Sequence, residues 1–228
     1  MTSSFFVNAE DEPADQDVTL TYDSTVSFIP TDVWRFDLQT ARRYPDENPE
    51  VVVRDIFQHE FGGTVSYTPS YDLRINGRAN SSTYTDGNER VWGQIEAARR
   101  VAYAPDVLLG ARLTAFDFKR VLTNGYWNPD DYQSMEATIQ SYGPLAERVT
   151  YNVQAAGGYA WTNPGEDGPV FSADGRLTYA FSREGSAALF GSYLITYARS
   201  GTTGGVAQAA NDEPFQRLVV GGQIRLRW

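Results

Sequence analysis

The chain has 228 residues, 41% of them hydrophobic and 14% aromatic, with no cysteine. A net charge of -10 and a pI near 4.6 exclude the basic footprint of a nucleic-acid binder, and the lack of cysteine excludes disulfides and thiolate metal sites. No stretch reaches the roughly 18 uninterrupted apolar residues of a membrane helix, a criterion that a transmembrane β-barrel escapes because half of each strand is polar.

Along the chain the apolar residues recur at every second position, the period of a strand with two unlike faces. The opening Met1-Thr-Ser-Ser-Phe-Phe lacks the basic and then apolar stretches of a signal peptide, which reads as a signal removed or a chain cut from something longer. Residues 3–8 form a short first strand. Leu20, Tyr22, Val26 and Phe28 then share a face against Thr21, Asp23, Thr25 and Ser27, and Trp34, Phe36 and Leu38 oppose Arg35, Asp37 and Gln39. Val51, Val53, Phe57, Phe61, Val65 and Tyr67 make the next apolar series, followed by Leu73, Ile75 and Ala79 against Asp72, Arg74 and Arg78. Two strands over 91–103 and 107–118, and one marked by Met135, Ala137 and Ile139, lead into the clearest part. There Val149, Tyr151 and Val153 alternate with Arg148, Asn152 and Gln154. Phe171, Leu177 and Tyr179 alternate with Asp174, Arg176 and Thr178, and Leu189, Tyr193 and Ile195 follow. The last strand has Leu218, Val220, Ile224, Leu226 and Trp228 on one side and Arg225 and Arg227 on the other.

The connections alternate in kind. Pro30-Thr31-Asp32, Pro69-Ser70, Pro105-Asp106, Tyr142-Gly143-Pro144 and Arg183-Glu184-Gly185 read as tight turns. Residues 45–49, 85–90, 119–131, 163–169 and 200–214 read as longer loops, and they carry acidic clusters such as Asp130-Asp131 and Asp212-Glu213. Short turns at one rim and long loops at the other are the mark of an outer-membrane barrel; a Greek-key sandwich has no reason for that parity. The prediction is an all-β, transmembrane, antiparallel up-and-down barrel of about twelve strands, one domain over 1–228, with both termini periplasmic. Tyr67, Tyr71, Tyr103, Tyr142 and Trp228 near the turns, and Tyr44, Trp127, Tyr132, Trp161 and Tyr197 near the loops, would form two interfacial aromatic girdles.

Asn124-Gly-Tyr-Trp-Asn-Pro-Asp-Asp-Tyr132-Gln-Ser134 and Tyr84-Thr-Asp-Gly-Asn-Glu-Arg90 resemble segments of the carboxyl-terminal barrels of cellulose synthase operon protein C and related exopolysaccharide-export proteins. With the terminal strand, the resemblance covers residues 61–228. It implies an outer-membrane barrel of about sixteen strands behind periplasmic tetratricopeptide repeats. Helical repeats of that kind are absent from this sequence and the strand count is smaller, so the chain is expected to be either the tail of a longer protein or a smaller relative. The final strand ending in Trp228 resembles the signal read by the barrel-insertion machinery.

The polar face carries the functional expectation. Arg35, Arg54, Arg74, Arg78, Arg112, Arg148, Arg176 and Arg225, with Asp72, Glu136 and Asp174, are expected to line the lumen. They would either fill it with Arg–carboxylate pairs or line a hydrated pore, and the pore is the preferred reading: an outer-membrane channel for passage or export of a polar, saccharide solute. A non-conducting structural barrel, or an adhesin acting through its loops, is the alternative. No catalytic residue, cofactor or metal is expected. His59, the single histidine, has no serine at the short spacing that barrel phospholipases use. Outer-membrane lipid, lipopolysaccharide and the insertion machinery are the expected partners.

Overall fold

In a computed structural model, the structure describes residues 2–10, 19–45, 54–122, 126, 128–163, 165–182, 185–196, 199–200 and 215–226. It is built of β1 (Thr2–Glu10), β2 (Thr19–Thr31), β3 (Trp34–Arg43), β4 (Gln58–Ser70), β5 (Leu73–Tyr84), β6 (Glu89–Tyr103) and β7 (Asp106–Phe118). These are followed by β8 (Asp131–Ala146), β9 (Val149–Asn163), β10 (Gly165–Glu166), β11 (Gly168–Ala180), β12 (Gly185–Thr196), β13 (Arg199–Ser200) and β14 (Phe215–Leu226). Twelve of these strands hydrogen-bond in chain order into one sheet, and the two-residue β10 and β13 pair with each other. Neighbours in the sheet are antiparallel, as short connections between consecutive strands require. Among the described residues there is no helix, and no ladder joins β1 to β14.

The register fixes which residues share a face. Opposite residues such as Asp37–Thr64, Thr64–Arg78, Arg78–Gln94, Gln94–Thr114 and Thr114–Ser134 carry one polar face from β3 to β8. The other face holds Leu38, Phe61, Val91, Ile95, Leu113, Ile139 and Leu189, all exposed, with Val220 on β14 at 74%. A sandwich would cover such a face with a second sheet. Here a continuous apolar belt is left facing outward on strands of up to 16 residues, longer than the roughly 9–11 that a tilted strand needs to cross a bilayer.

Hydrogen bonds across the polar face show how strongly the sheet curls. Arg74 of β5 donates to Gln140 of β8 at 2.5 Å, and Gln154 of β9 to Glu96 of β6 at 3.5 Å. Each pair is three strands apart, about 14 Å on a flat sheet at 4.8 Å per strand. The polar face is therefore concave and the apolar face convex.

One rim has two-residue turns at 32–33, 71–72, 104–105 and 147–148; the opposite rim carries the longer connections. By register, Thr2 of β1 pairs with Ser27 and Leu226 of β14 with Gly185, so both ends of the sheet sit at the short-turn rim. Two connections differ from the sequence expectation. The turn expected at Tyr142-Gly143-Pro144 is part of β8, and the chain reverses at Glu147-Arg148 instead. Pro144 is tolerated because it falls at a ladder irregularity between Pro144 and Ala146. Pro30 and Pro69 likewise lie within register shifts, at Phe28/Thr31 and Tyr67/Ser70. The loop expected over 85–90 is only Thr85–Asn88, closed tightly by Gly87 at φ +79°, a conformation that glycine adopts without steric cost.

Candidate functional site

The concave face divides along the strands into a charged middle and an aromatic end. In the middle, long side chains cross small ones. Arg74 reaches Gln140 diagonally: its own row in register runs through Ala98 and Gly110 to Thr138, two positions before Gln140. Arg112 donates to Glu136 at 2.6 Å and to Ser172 at 3.0 Å, passing Gly158, where a Cβ would meet the Met135 carbonyl oxygen and the Glu136 backbone below 3.0 Å. Ser134 also donates to Glu136, which is only 5% exposed, so this carboxylate is buried with its partners in place. Arg35 pairs with Asp37 at 2.9 Å, Ser27 donates to the same carboxylate, and Arg176 donates to Gln223 at 2.7 Å.

Between these groups lies a cavity of about 450 Å³, lined by Arg35, Asp37, Arg74, Arg78, Glu96 and Arg112 among others. A second, of about 300 Å³, shares Gln39 and Arg78 with it, and a third, of about 310 Å³, shares Gln94 and Arg112. Trp92 lines both the second and the third. The three form one polar chamber. Its Arg74 Nε, Arg90 Nε, Arg112 Nε, Asn80 Oδ1 and Thr64 Oγ1 are buried and have no hydrogen-bond partner among the described residues.

Towards the long-loop rim the same face turns apolar. Ile56, Tyr84, Phe118 and Tyr126 form a buried cluster, with Phe116 packed against it; Phe116 also bridges to a second cluster of Tyr132, Ala160 and Val170. Tyr84 stacks on Tyr126 at 5.0 Å and Phe116 on Tyr132 at 4.5 Å. Asn88 secures the cap: its Nδ2 donates to the Arg120 carbonyl at 2.9 Å and to the Tyr126 hydroxyl at 3.0 Å, and its Oδ1 accepts from the Glu89 and Arg120 amides. The Tyr126 hydroxyl in turn donates to Asp86 at 2.9 Å. Burial pushes the Tyr126 phenol well above its ordinary range, and the hydrogen bond and negative charge at Asp86 add to the rise.

Most of the residues expected to line the lumen meet on this concave face: Arg35, Arg74, Arg78, Arg112, Glu136, Asp174 and Arg176. Arg225 lies opposite Ser186 in register, two positions from Gln223 on the same strand face. Three others occupy connections and not strand faces. Arg54 sits in the turn ahead of β4, Asp72 in the 71–72 turn, where it accepts from Tyr103 at 2.8 Å, and Arg148 in the turn that replaces the one expected at 142–144. The cause is common to all three: strand alternation was extended past the point where the chain leaves the ladder. Trp228, Arg227, Trp127 and Tyr197 lie outside the described residues.

The aromatic assignments are also corrected in part. Tyr132 is buried in the cap rather than in an outer girdle, Tyr142 takes a hydrogen bond from Arg100 at 2.9 Å on the concave side, and Phe57 packs under the loops against Tyr44 at 4.2 Å. Tyr71, Tyr103 and Trp161 remain exposed, as a girdle requires. His59 faces the convex side, exposed, between Arg42 and Thr83 in register. Sequence reasoning missed the cap and Asn88. The usable signal was the run of large apolar residues at Tyr84, Trp92, Phe116, Phe118 and Tyr132 on the otherwise polar face.

No protein-family model and no curated protein matches the chain. Among solved structures it is similar to a bacterial polysaccharide outer membrane secretin, with a TM-score of 0.75 and 12% identity over 94% of this chain and 71% of that one. It also matches OmpT, an outer membrane protein of Vibrio cholerae, at 10% identity over 100% of this chain and 95% of that one, with a TM-score of only 0.42. The first likeness establishes the fold: the strand meander of an outer-membrane barrel.

Proposed function

We propose that the chain forms a closed outer-membrane β-barrel, about twelve strands round, whose lumen passes a polar, saccharide solute. A hydrocarbon layer provides no partner for an open sheet edge, so on this reading β1 and β14 pair when the protein is in the membrane. The long-loop rim then faces outward, the short turns and both termini face the periplasm, lipid and lipopolysaccharide contact the convex belt, and the insertion machinery reads Trp228.

The polar chamber carries this reading. A lumen filled for stability alone would leave no cavity of this size between its charged side chains. Arg35, Arg74, Arg78 and Arg112 stand with Asp37 and Glu96 around a cavity of about 450 Å³, a polar space roomy enough for water or solute. Planar-bilayer recording on the purified protein tests it. Discrete conductance steps are expected, with a weaker preference for anions after Arg78→Gln, since a lumen charge tunes selectivity.

A second reading draws on the cap. The dry cluster of Ile56, Tyr84, Phe118 and Tyr126 covers the long-loop side of the chamber, which favours a non-conducting barrel acting through its external loops. The same recording decides: a silent bilayer containing correctly folded protein supports this alternative. No enzymatic role is proposed, because His59 stands exposed on the convex belt, away from the chamber.

A further inference from the structure

Arg99 and Arg100 are neighbours on β6 with opposite surroundings. Arg100 points to the concave side, where it pairs with Asp106, donates to the Tyr142 hydroxyl at 2.9 Å and lies 4.0 Å from the centre of the Tyr71 ring. Arg99 is exposed on the convex face, between Leu73 of β5 and Leu109 of β7 in register. Ile95, Ala97 and Val101 share its side of β6, and no hydrogen bond or ion pair reaches it among the described residues. Tyr103, 63% exposed, marks the short-turn end of the strand. It lies four residues from Arg99, about 13 Å along the strand and about 10 Å along the membrane normal at the usual tilt. A lone guanidinium at that depth is unfavourable on a lipid face, and its flexible stem carries it back towards the nearer interface.

Beside Arg99 the belt is hollow. Ala97, Ala111, Ala137 and Gly157 stand opposite one another across β6 to β9, about 14 Å from the first strand to the last. Ile95, Leu113 and Met135 form a ridge on the loop side of this furrow, and Leu109 and Ile139 form one on the turn side.

We infer that Arg99 and this furrow bind one anionic glycerophospholipid, its phosphate on the guanidinium and an acyl chain along the alanines. A phosphodiester offers two acceptor oxygens to the fork of a guanidinium, a match that no group of the belt itself provides here. The place on the strand selects a phospholipid of the periplasmic leaflet over lipopolysaccharide, because Arg99 is four residues from the short-turn end of β6 and ten from its long-loop end. The inference rests on the reading that the convex face meets lipid, and it is independent of what passes through the lumen.

The chain has no cysteine, so Leu109→Cys takes a single bimane label beside Arg99. The labelled full chain is refolded into phosphatidylcholine vesicles that contain an equal minor fraction of brominated phosphatidylglycerol or of brominated phosphatidylcholine. Quenching is expected to report a roughly fivefold enrichment of phosphatidylglycerol at position 109, the effect of one arginine at an anionic lipid surface. Arg99→Gln should abolish the preference and Arg99→Lys should keep most of it, while Ala111→Leu, which fills the furrow, should weaken it. The same label at Leu189→Cys, on the convex face of β12, should show none. Equal quenching by the two lipids at 109, or a preference that survives Arg99→Gln or recurs at 189, overturns the site and leaves the membrane reading standing. Quenching by neither lipid at 109 and at 189 overturns both, so the two failures are distinct.

Discussion

The cap and the chamber stand on the same strands, yet they follow opposite rules. On β5 Arg74 and Arg78 give way to Tyr84, on β7 Arg112 gives way to Phe118, and on β8 Glu136 lies four positions from Tyr132. In the cap the central polar groups are matched: Asn88 and the Tyr126 hydroxyl find partners in one another and in the neighbouring loops. In the chamber, arginines and carboxylates line cavities of about 300–450 Å³. The difference separates two uses of an inward face: apolar contact and the Asn88 hydrogen bonds hold the loops down, and charged side chains surround an open space.

The sharpest way to break this comparison is to cut into each region and weigh the damage. Phe118 is 1% exposed, and Phe118→Ala should cost roughly 3–5 kcal/mol, as deletion of a buried phenylalanine does. Arg78→Gln in the hydrated chamber should stay within about 0.5 kcal/mol. Equilibrium unfolding in urea from lipid vesicles measures both; equal losses would mean that the chamber is packed as tightly as the cap.

A smaller effect tests the inside–outside alternation on which both regions depend. Leu113 is exposed on the convex belt, next in sequence to the inward Arg112. Leu113→Arg should cost about 2–4 kcal/mol if that belt meets the middle of a bilayer, and much less if it lies near an interface. A neutral outcome, together with labelling of a cysteine at 113 by a water-soluble reagent and quenching of one at 112 by lipid, would reverse the two faces.

The alternation was legible because the period of a strand is local: Arg176 and Leu177 declare opposite faces to any reader who knows they are in a strand, and the register bears this out. Rim placement was legible too, through turn chemistry at Pro30, Pro69 and Pro105. What failed lies where the chain leaves the ladder. Pro144 looked like a turn because proline removes a donor, but a ladder irregularity absorbs it. Arg54, Asp72 and Arg148 were extrapolated into lumen positions from strands that had already ended. Phe57, Phe118 and Tyr132 show the deeper limit. A large apolar side chain on the polar face becomes intelligible only once loops distant in sequence fold over it, and Asn88 gives no local sign that it bonds to residues 120 and 126.

The smallest effect concerns Tyr126, where the dryness of the cap can be read without disturbing the barrel. Burial holds its phenol in the neutral form, raising its pKa above the ordinary value of 10.0. A raised folded-state pKa contributes stability that is fully present below about pH 10 and is lost as pH climbs towards the folded value, because the unlocked loop releases the proton first. Tyr126→Phe removes that dependence together with the bonds to Asn88 and Asp86, at a cost of about 1 kcal/mol at neutral pH. Spectrophotometric titration should therefore show the same tyrosinate amplitude near pH 10 in the wild type and in Tyr126→Phe, since this phenol is still protonated there. The two curves should part only at higher pH, when the wild-type cap opens. If the variant already lacks one tyrosine's amplitude at about pH 10, water reaches Tyr126, the cap is wet like the chamber, and the contrast between the two regions falls.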